Sequence, residues 1–387
     1  MTRYAAYFVA HAESRASQAA TDRPAAFAAM EEKLPEYRRT AMYLASRGDV
    51  LSATSLDRLA SALWGDSDFF PTRGEYAEAV PILECAYNAL GKAGMNAARS
   101  VHTGHLGICM GHLGRLPDAI RYVEEAVTLC RQDHNERDEC AHLGNLGTLY
   151  RSAGDRDRAI ALFEAALTVA QRTDRLDVVL DALGNLGSAL RHHDPSRAKK
   201  YYRTALALSE RIGDSLGAAN ATSNLALLYF DVGDLDTAER LVRDALQRAE
   251  SLGDRRGTAN RLGHLGNILL RRGDHSSARE HFKRALTACR EIGWRANEAP
   301  WIIGLGNLAR MTGDATEAVE RYAEAIRSAN DAGDPLHASF AQFNLAVMKR
   351  DAGDREGARW LLRQALPALR KAAPVEAAHA EALLRDL

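Results

Sequence analysis

Through most of the chain, apolar residues recur at three- and four-residue spacings, the period of helices that bury one face; no stretch alternates as a half-buried strand does. The helical pattern itself repeats. A Leu-Gly or Leu-Ala pair returns at Leu106-Gly107, Leu146-Gly147, Leu186-Gly187, Leu225-Ala226, Leu265-Gly266, Leu305-Gly306 and Leu345-Ala346, in steps of 40, 40, 39, 40, 40 and 40 residues. Twelve residues after the small residue, eleven in the third unit, stands an alanine: Ala119, Ala159, Ala198, Ala238, Ala278, Ala318, Ala358. Seven further on stands another: Ala126, Ala166, Ala205, Ala245, Ala285, Ala325, Ala365. Between the two alanines sits a large apolar or aromatic residue: Val123, Phe163, Tyr202, Val242, Phe282, Tyr322, Leu362.

These choices have a physical reason. Two antiparallel helices approach closely only where side chains are small, and the large residue fills the gap that remains. Each unit therefore predicts a first helix carrying Leu-Gly and a second carrying the alanines. The turn between them holds Gly114, Gly154, Gly233, Gly273, Gly313 or Gly353, suited to ending a helix in the left-handed conformation. An Asp often follows (Asp155, Asp234, Asp274, Asp314, Asp354), suited to capping the next helix. The third unit reads Arg191-His192-His193-Asp194-Pro195 instead and is one residue short, so a local kink is expected there. A single unit cannot bury its apolar face; stacking the units buries it cooperatively.

The pattern of small residue, alanine, aromatic and alanine resembles the tetratricopeptide repeat over residues 98–373, in seven in-phase copies. The 40-residue period and stretches such as HLGNLGTLYRSAGDRDRAIALFEAAL are similar to the longer units of LGN/Pins-type adaptors and kinesin light chains. The resemblance implies an all-α fold, a right-handed α-α superhelix, with residues 374–387 as a polar C-terminal capping helix. Residues 1–97 form a helical N-terminal arm, with helices expected near 3–20, 24–47 and 53–65 and one degenerate repeat at Gly74–Ala79. The run RYAAYFVAHAESRA, then Tyr43–Asp49, then Leu59-Ala60-Ser61-Ala62-Leu63-Trp64, resembles the arm that leads into the repeat sensor of actinobacterial STAND-class and SARP-type regulators. No GxxxxGK[ST] motif occurs in the chain, so it is not the nucleotide-hydrolysing part of such a regulator.

Counting the small residue as the eighth position of its helix, positions 4, 7, 8 and 11 share the packing face and 2, 6, 9 and 13 the opposite one. In the tetratricopeptide family that opposite face lines the concave groove. The sixth position holds His105, Asn145, Asn185, Asn224, His264, Gly304 and Asn344; the ninth adds Asn267 and Asn307, the second Asn220 and Asn260. Asn offers donors and an acceptor in one plane, which suits the backbone of an extended peptide. Arg151, Arg191, Arg310 and Arg350 occupy the twelfth position and Arg271 lies one step later; guanidinium groups favour carboxylates or phosphates. These fifteen residues, Gly304 excepted, are the candidate partner-binding set.

Composition narrows the reading. Lys and Arg number 50 against 51 Asp and Glu, without the basic excess of a general nucleic-acid surface. The five cysteines, Cys85, Cys109, Cys130, Cys140 and Cys289, form no CxxC and read as small apolar packing residues. Thirteen histidines include His102 and His105, and the adjacent pair His192-His193, yet no HExxH, facial-triad spacing or GxSxG accompanies them. Trp294 and Trp301 are expected to pack the junction before the sixth unit. No signal peptide or membrane span is read, and the expected compartment is the cytoplasm. The expectation is therefore a binding protein without cofactor or metal, not an enzyme: a sensor or adaptor whose protein or peptide partner is an extended segment of acidic character. The alternative is a ligand-sensing module of a STAND-like transcriptional or defence regulator; a metal protein or enzyme on this scaffold ranks below both. Self-association is open, with Tyr4, Tyr7, Phe8 and Phe27 as a candidate patch.

Overall fold

The computed structural model describes residues 2–387. Among them 21 α-helices follow one another in tandem and no strand occurs. The N-terminal helices are α1 (Thr2–Ala19), α2 (Arg23–Glu32), α3 (Leu34–Arg47), α4 (Val50–Ser61), α5 (Phe69–Arg73) and α6 (Tyr76–Lys92), with a π-helical turn, Ala62–Asp66, continuing α4. The helix expected over 24–47 is broken at Lys33, since Pro35 lacks the N–H of a helix interior and restricts Leu34 before it.

The repeats follow as first-and-second helix pairs: α7 (Asn96–His112) with α8 (Leu116–Gln132), α9 (Glu136–Ser152) with α10 (Arg156–Arg172), α11 (Leu176–Leu190) with α12 (Pro195–Ile212), and α13 (Ser215–Asp231) with α14 (Leu235–Ser251). Then come α15 (Arg255–Arg272) with α16 (His275–Glu291), α17 (Glu298–Met311) with α18 (Ala315–Asp331), α19 (Pro335–Asp351) with α20 (Arg355–Ala372), and a final α21 (Pro374–Asp386).

The predicted packing is observed atom by atom. A Cβ placed on Gly107 would lie 2.3 Å from Val123, on Gly147 2.6 Å from the Phe163 ring, on Gly187 2.3 Å from Tyr202, on Gly266 2.8 Å from Phe282 and on Gly306 2.7 Å from Tyr322. Each is far inside carbon–carbon contact distance, so the large residue of the second helix rests on the bare backbone of the first. All seven large residues and the fourteen flanking alanines are buried. Asp234, Asp274, Asp314 and Asp354 cap α14, α16, α18 and α20 through their side chains, as do Asp194, Asp214, Asp254 and Asp334 at α12, α13, α15 and α19. Gly233 in its turn has φ +85, which a residue with a Cβ would resist. In the third unit the missing glycine is met differently: α11 stops at Leu190, and His193 and Asp194 donate their N–H groups to the Leu190 carbonyl with no left-handed residue in the turn.

The chain divides into two compact units. The first comprises Met1–Arg151 and Asp157–Val178, the second Ser152–Arg156 and Val179–Leu387. The core of the first joins α1–α6 to α7, from Phe8, Tyr37 and Leu56 to Leu106 and Cys109. That of the second runs continuously from Ala226 to Leu387. Of the candidate self-association patch, Phe8 and Phe27 are buried in the first core, while Tyr4 and Tyr7 remain exposed.

Candidate functional site

The surface of interest is the face of the first helices turned away from their partners. In the first unit it carries His105, Asn145 and Arg151; in the second it carries the remaining candidates. Four asparagines in these rows, Asn145, Asn185, Asn224 and Asn267, are half-buried, and their side-chain amides make no hydrogen bond among the described residues. The others are engaged. Asn220 accepts from Arg261 Nη2 at 2.7 Å, and Asn260 Oδ1 accepts from Asn297 Nδ2 at 2.5 Å. Asn307 Oδ1 accepts from the Tyr322 hydroxyl at 2.7 Å and from Asn344 Nδ2 at 3.2 Å. Gly304, which interrupts the row, is a packing position: a Cβ there would lie 2.6 Å from the Phe282 ring of the preceding unit.

The two histidines of the row differ from its asparagines. His105 stacks on Trp64 of the π-helical turn, ring centroids 4.8 Å apart, and burial holds its pKa well below the ordinary value. His264 meets the edge of Trp301 at 5.9 Å and lies 3.5 Å from Ser223 Oγ. Burial first, then the positive charges of Arg191 and Arg261, lower its pKa to about 4, so it is neutral at pH 7.

The arginines do not converge. Arg191 Nε sits 2.8 Å from Asp231, Arg271 donates to the Phe230 carbonyl at 2.7 Å and lies over that ring, and Arg350 pairs with Asp351 at 2.7 Å. Arg151 and Arg310 are exposed.

One row was absent from the sequence reading. The third position of the first helix, His102, His142, Ala182, Ala221, Arg261, Trp301 and Ala341, is buried in every unit. The large members lie across the first helix of the preceding unit. His142 rests where a Cβ of Gly104 would be (2.3 Å), and Trp301 where a Cβ of Gly263 would be (2.3 Å). Trp301 thus packs the junction as expected, and Arg256 lies over the half-buried ring of Trp294. Arg261 is 2% exposed, donates to Asn220, lies 3.6 Å from Asp254 and keeps Nε without a partner. His102 Nε2 bonds Asp57 at 2.8 Å, while both ring nitrogens of His142 are buried and unpaired. Glycines two residues before the Leu-Gly pair, Gly104 and Gly263, were the available signal. Among the described residues no group of three or more His, Cys, Asp or Glu is placed to hold a metal ion, and no helix is long and apolar enough to cross a membrane.

The tetratricopeptide repeat family model matches residues 95–172, 138–211 and 217–291, in register with the helix pairs above. The chain is a tetratricopeptide-repeat protein. No curated protein matches its sequence. Among solved structures this tetratricopeptide chain is similar to the Rap conjugation gene regulator of the plasmid pLS20, in complex with a Phr peptide, at 15% identity and TM-score 0.62, covering 89% of this chain and 96% of that one. It is similar to the quorum sensor NprR from B. thuringiensis at 14% identity and TM-score 0.56, covering 88% and 98%. A STAND protein with a tetratricopeptide repeat sensor from Pyrococcus horikoshii aligns at 16% identity and TM-score 0.51, over 92% of this chain but 54% of that one. At these identities the likeness is one of fold.

Proposed function

We propose that this tetratricopeptide chain is a peptide-binding sensor or adaptor, its partner segment held extended along the Asn-bearing face of the first helices. The observation that carries the reading is the set of in-phase amides left without internal partners: Asn185, Asn224 and Asn267 in the second unit, Asn145 in the first. A half-buried amide facing no protein group gains most from a ligand that offers both a carbonyl and an N–H, which a peptide backbone does at every residue. Beside them stand Asn220, Asn260, Asn307, Asn344 and His264 in the second unit and His105 in the first. Arg151, Arg191, Arg271, Arg310 and Arg350 retain donors beyond those they use, since a guanidinium carries five, and they favour a segment of acidic character. A Rap protein solved with its peptide and the quorum sensor NprR share this fold and support a peptide as the ligand class.

The alternative of a ligand-sensing module of a STAND-like regulator has support from the N-terminal arm and from the STAND protein's fold. The test compares the wild-type chain with an Asn185→Ala/Asn224→Ala variant as baits in native lysate, read by quantitative mass spectrometry. A partner retained by the wild type and lost by the variant supports the reading. The same captured set on both baits overturns it.

A further inference from the structure

A second surface, on the other side of α19 from Asn344, departs from the repeat in three places at once. The residue two after the first alanine of the second helix is exposed in every unit, and it is small or charged in six of them: Arg121, Ala161, Lys200, Arg240, Glu280, Glu320. In the seventh it is Trp360, 60% exposed. The eleventh position of the first helix is apolar in six units (Met110, Tyr150, Leu190, Tyr229, Leu269, Ala309) and Lys349 in the seventh. The fourth position is Leu, Ile or Thr in the first six units and Gln342 in the seventh. All three departures line one groove of about 730 Å³ between α18, α19 and α20, floored by Ile326, Leu345 and Leu361.

Packing does not account for them. An exposed indole has no core to fill, and Lys349 replaces a side chain that elsewhere helps close this space. Its stem lies along the groove while its ammonium reaches Asp354 Oδ2 at 2.6 Å. Arg327 on the rim is exposed and has no ion-pair partner among the described residues, and no carboxylate lines the groove. An apolar floor, an aromatic wall, rim amides and the unpaired Arg327 guanidinium together specify the complementary surface. We infer that this groove docks a segment of a second protein that carries a bulky apolar side chain beside one or more carboxylates. The site is separate from the Asn-bearing face and does not depend on the reading given to that face.

The probe is a displayed library of random twelve-residue peptides, selected on the full chain with subtraction against a Trp360→Ser variant. Because Trp360 is exposed, that variant is expected to keep the wild-type melting temperature. Selected peptides are expected to pair Glu or Asp with Leu, Ile, Phe or Trp. Their affinity is expected to fall about thirtyfold in Trp360→Ser, the effect of losing an aromatic anchor, and at least about tenfold in Arg327→Glu. It is expected to be unchanged in Asn185→Ala/Asn224→Ala. Three results overturn the inference: no clone that distinguishes wild type from Trp360→Ser, a selected consensus without acidic residues, or a self-association of the chain abolished by Trp360→Ser. Peptides that depend on Asn185 and Asn224 but not on Trp360 overturn it while leaving the proposed function standing.

Discussion

Replacing Gly304 by alanine sets two effects of opposite sign against each other. Alanine favours a helix interior over glycine by about 1 kcal/mol, so propensity alone stabilises the variant. The new methyl, however, would stand 2.6 Å from Phe282 Cε1. Carbon atoms in contact sit about 3.5–4.0 Å apart, so the ring must retreat by close to 1 Å. It cannot do so freely, because the same ring also rests on the bare backbone of Gly266, where a Cβ would lie 2.8 Å from it. Overpacking of this kind costs about 1–3 kcal/mol. The net expectation is a destabilisation of about 1 kcal/mol. Gly144→Ala is the control: it lies within α9 with nothing within 4 Å of its missing Cβ, and it is expected to stabilise by about 0.5–1 kcal/mol. The assay is urea unfolding followed by helical circular dichroism, with Phe282→Leu in both backgrounds. Phe282→Leu is expected to cost less in the Gly304→Ala chain than in the wild type, giving a coupling of about 1 kcal/mol. If Gly304→Ala stabilises as much as Gly144→Ala, or the coupling vanishes, the packing account of the sixth position is refuted.

Acid sensitivity and thiol chemistry give further checks. His264 has a folded pKa of about 4, below the ordinary 6.5, so the stability tied to its neutral form is complete above pH 6.5 and is lost as pH falls toward 4; His264→Asn is expected to flatten the fall in stability across that window. The Cys109 and Cys289 thiols are buried, and burial pushes them up to about 12 and 11 respectively. Ellman's reagent at pH 8 is therefore expected to leave both unmodified in the native chain and to titrate all five cysteines only after denaturation.

The scaffold was legible because its packing positions are chosen by size. Gly147 under Phe163 and Gly187 under Tyr202 can be read from spacing alone, since each close approach lies within one unit. What escaped depends on contacts between units. Gly304 looks like a gap in a polar row, and only the Phe282 ring of the preceding unit shows it to be filled. Arg261 and His142 stand at the third position, which falls on neither face in the helical periodicity; it faces the neighbouring first helix and is buried throughout. The break at Lys33 follows from Pro35, a local signal that the apolar spacing across it hides. The Asn row was legible as a row; which of its members the scaffold consumes was not, since Asn307 is claimed by Tyr322 and Asn344, and Asn220 by a residue in the next unit.

The central claim is that the unpartnered amides exist for a peptide. Its most direct measurement is calorimetric titration of a peptide recovered by the wild-type bait into the wild-type and Asn185→Ala/Asn224→Ala chains, alongside their unfolding midpoints. Losing two amides that bond a peptide backbone is expected to weaken binding by about 2–3 kcal/mol, roughly 30- to 150-fold. Stability is expected to hold or rise slightly, because neither amide bonds the scaffold and alanine is the better helix former. Equal affinity for both chains, or a variant that binds less only because it is less stable, contradicts the account.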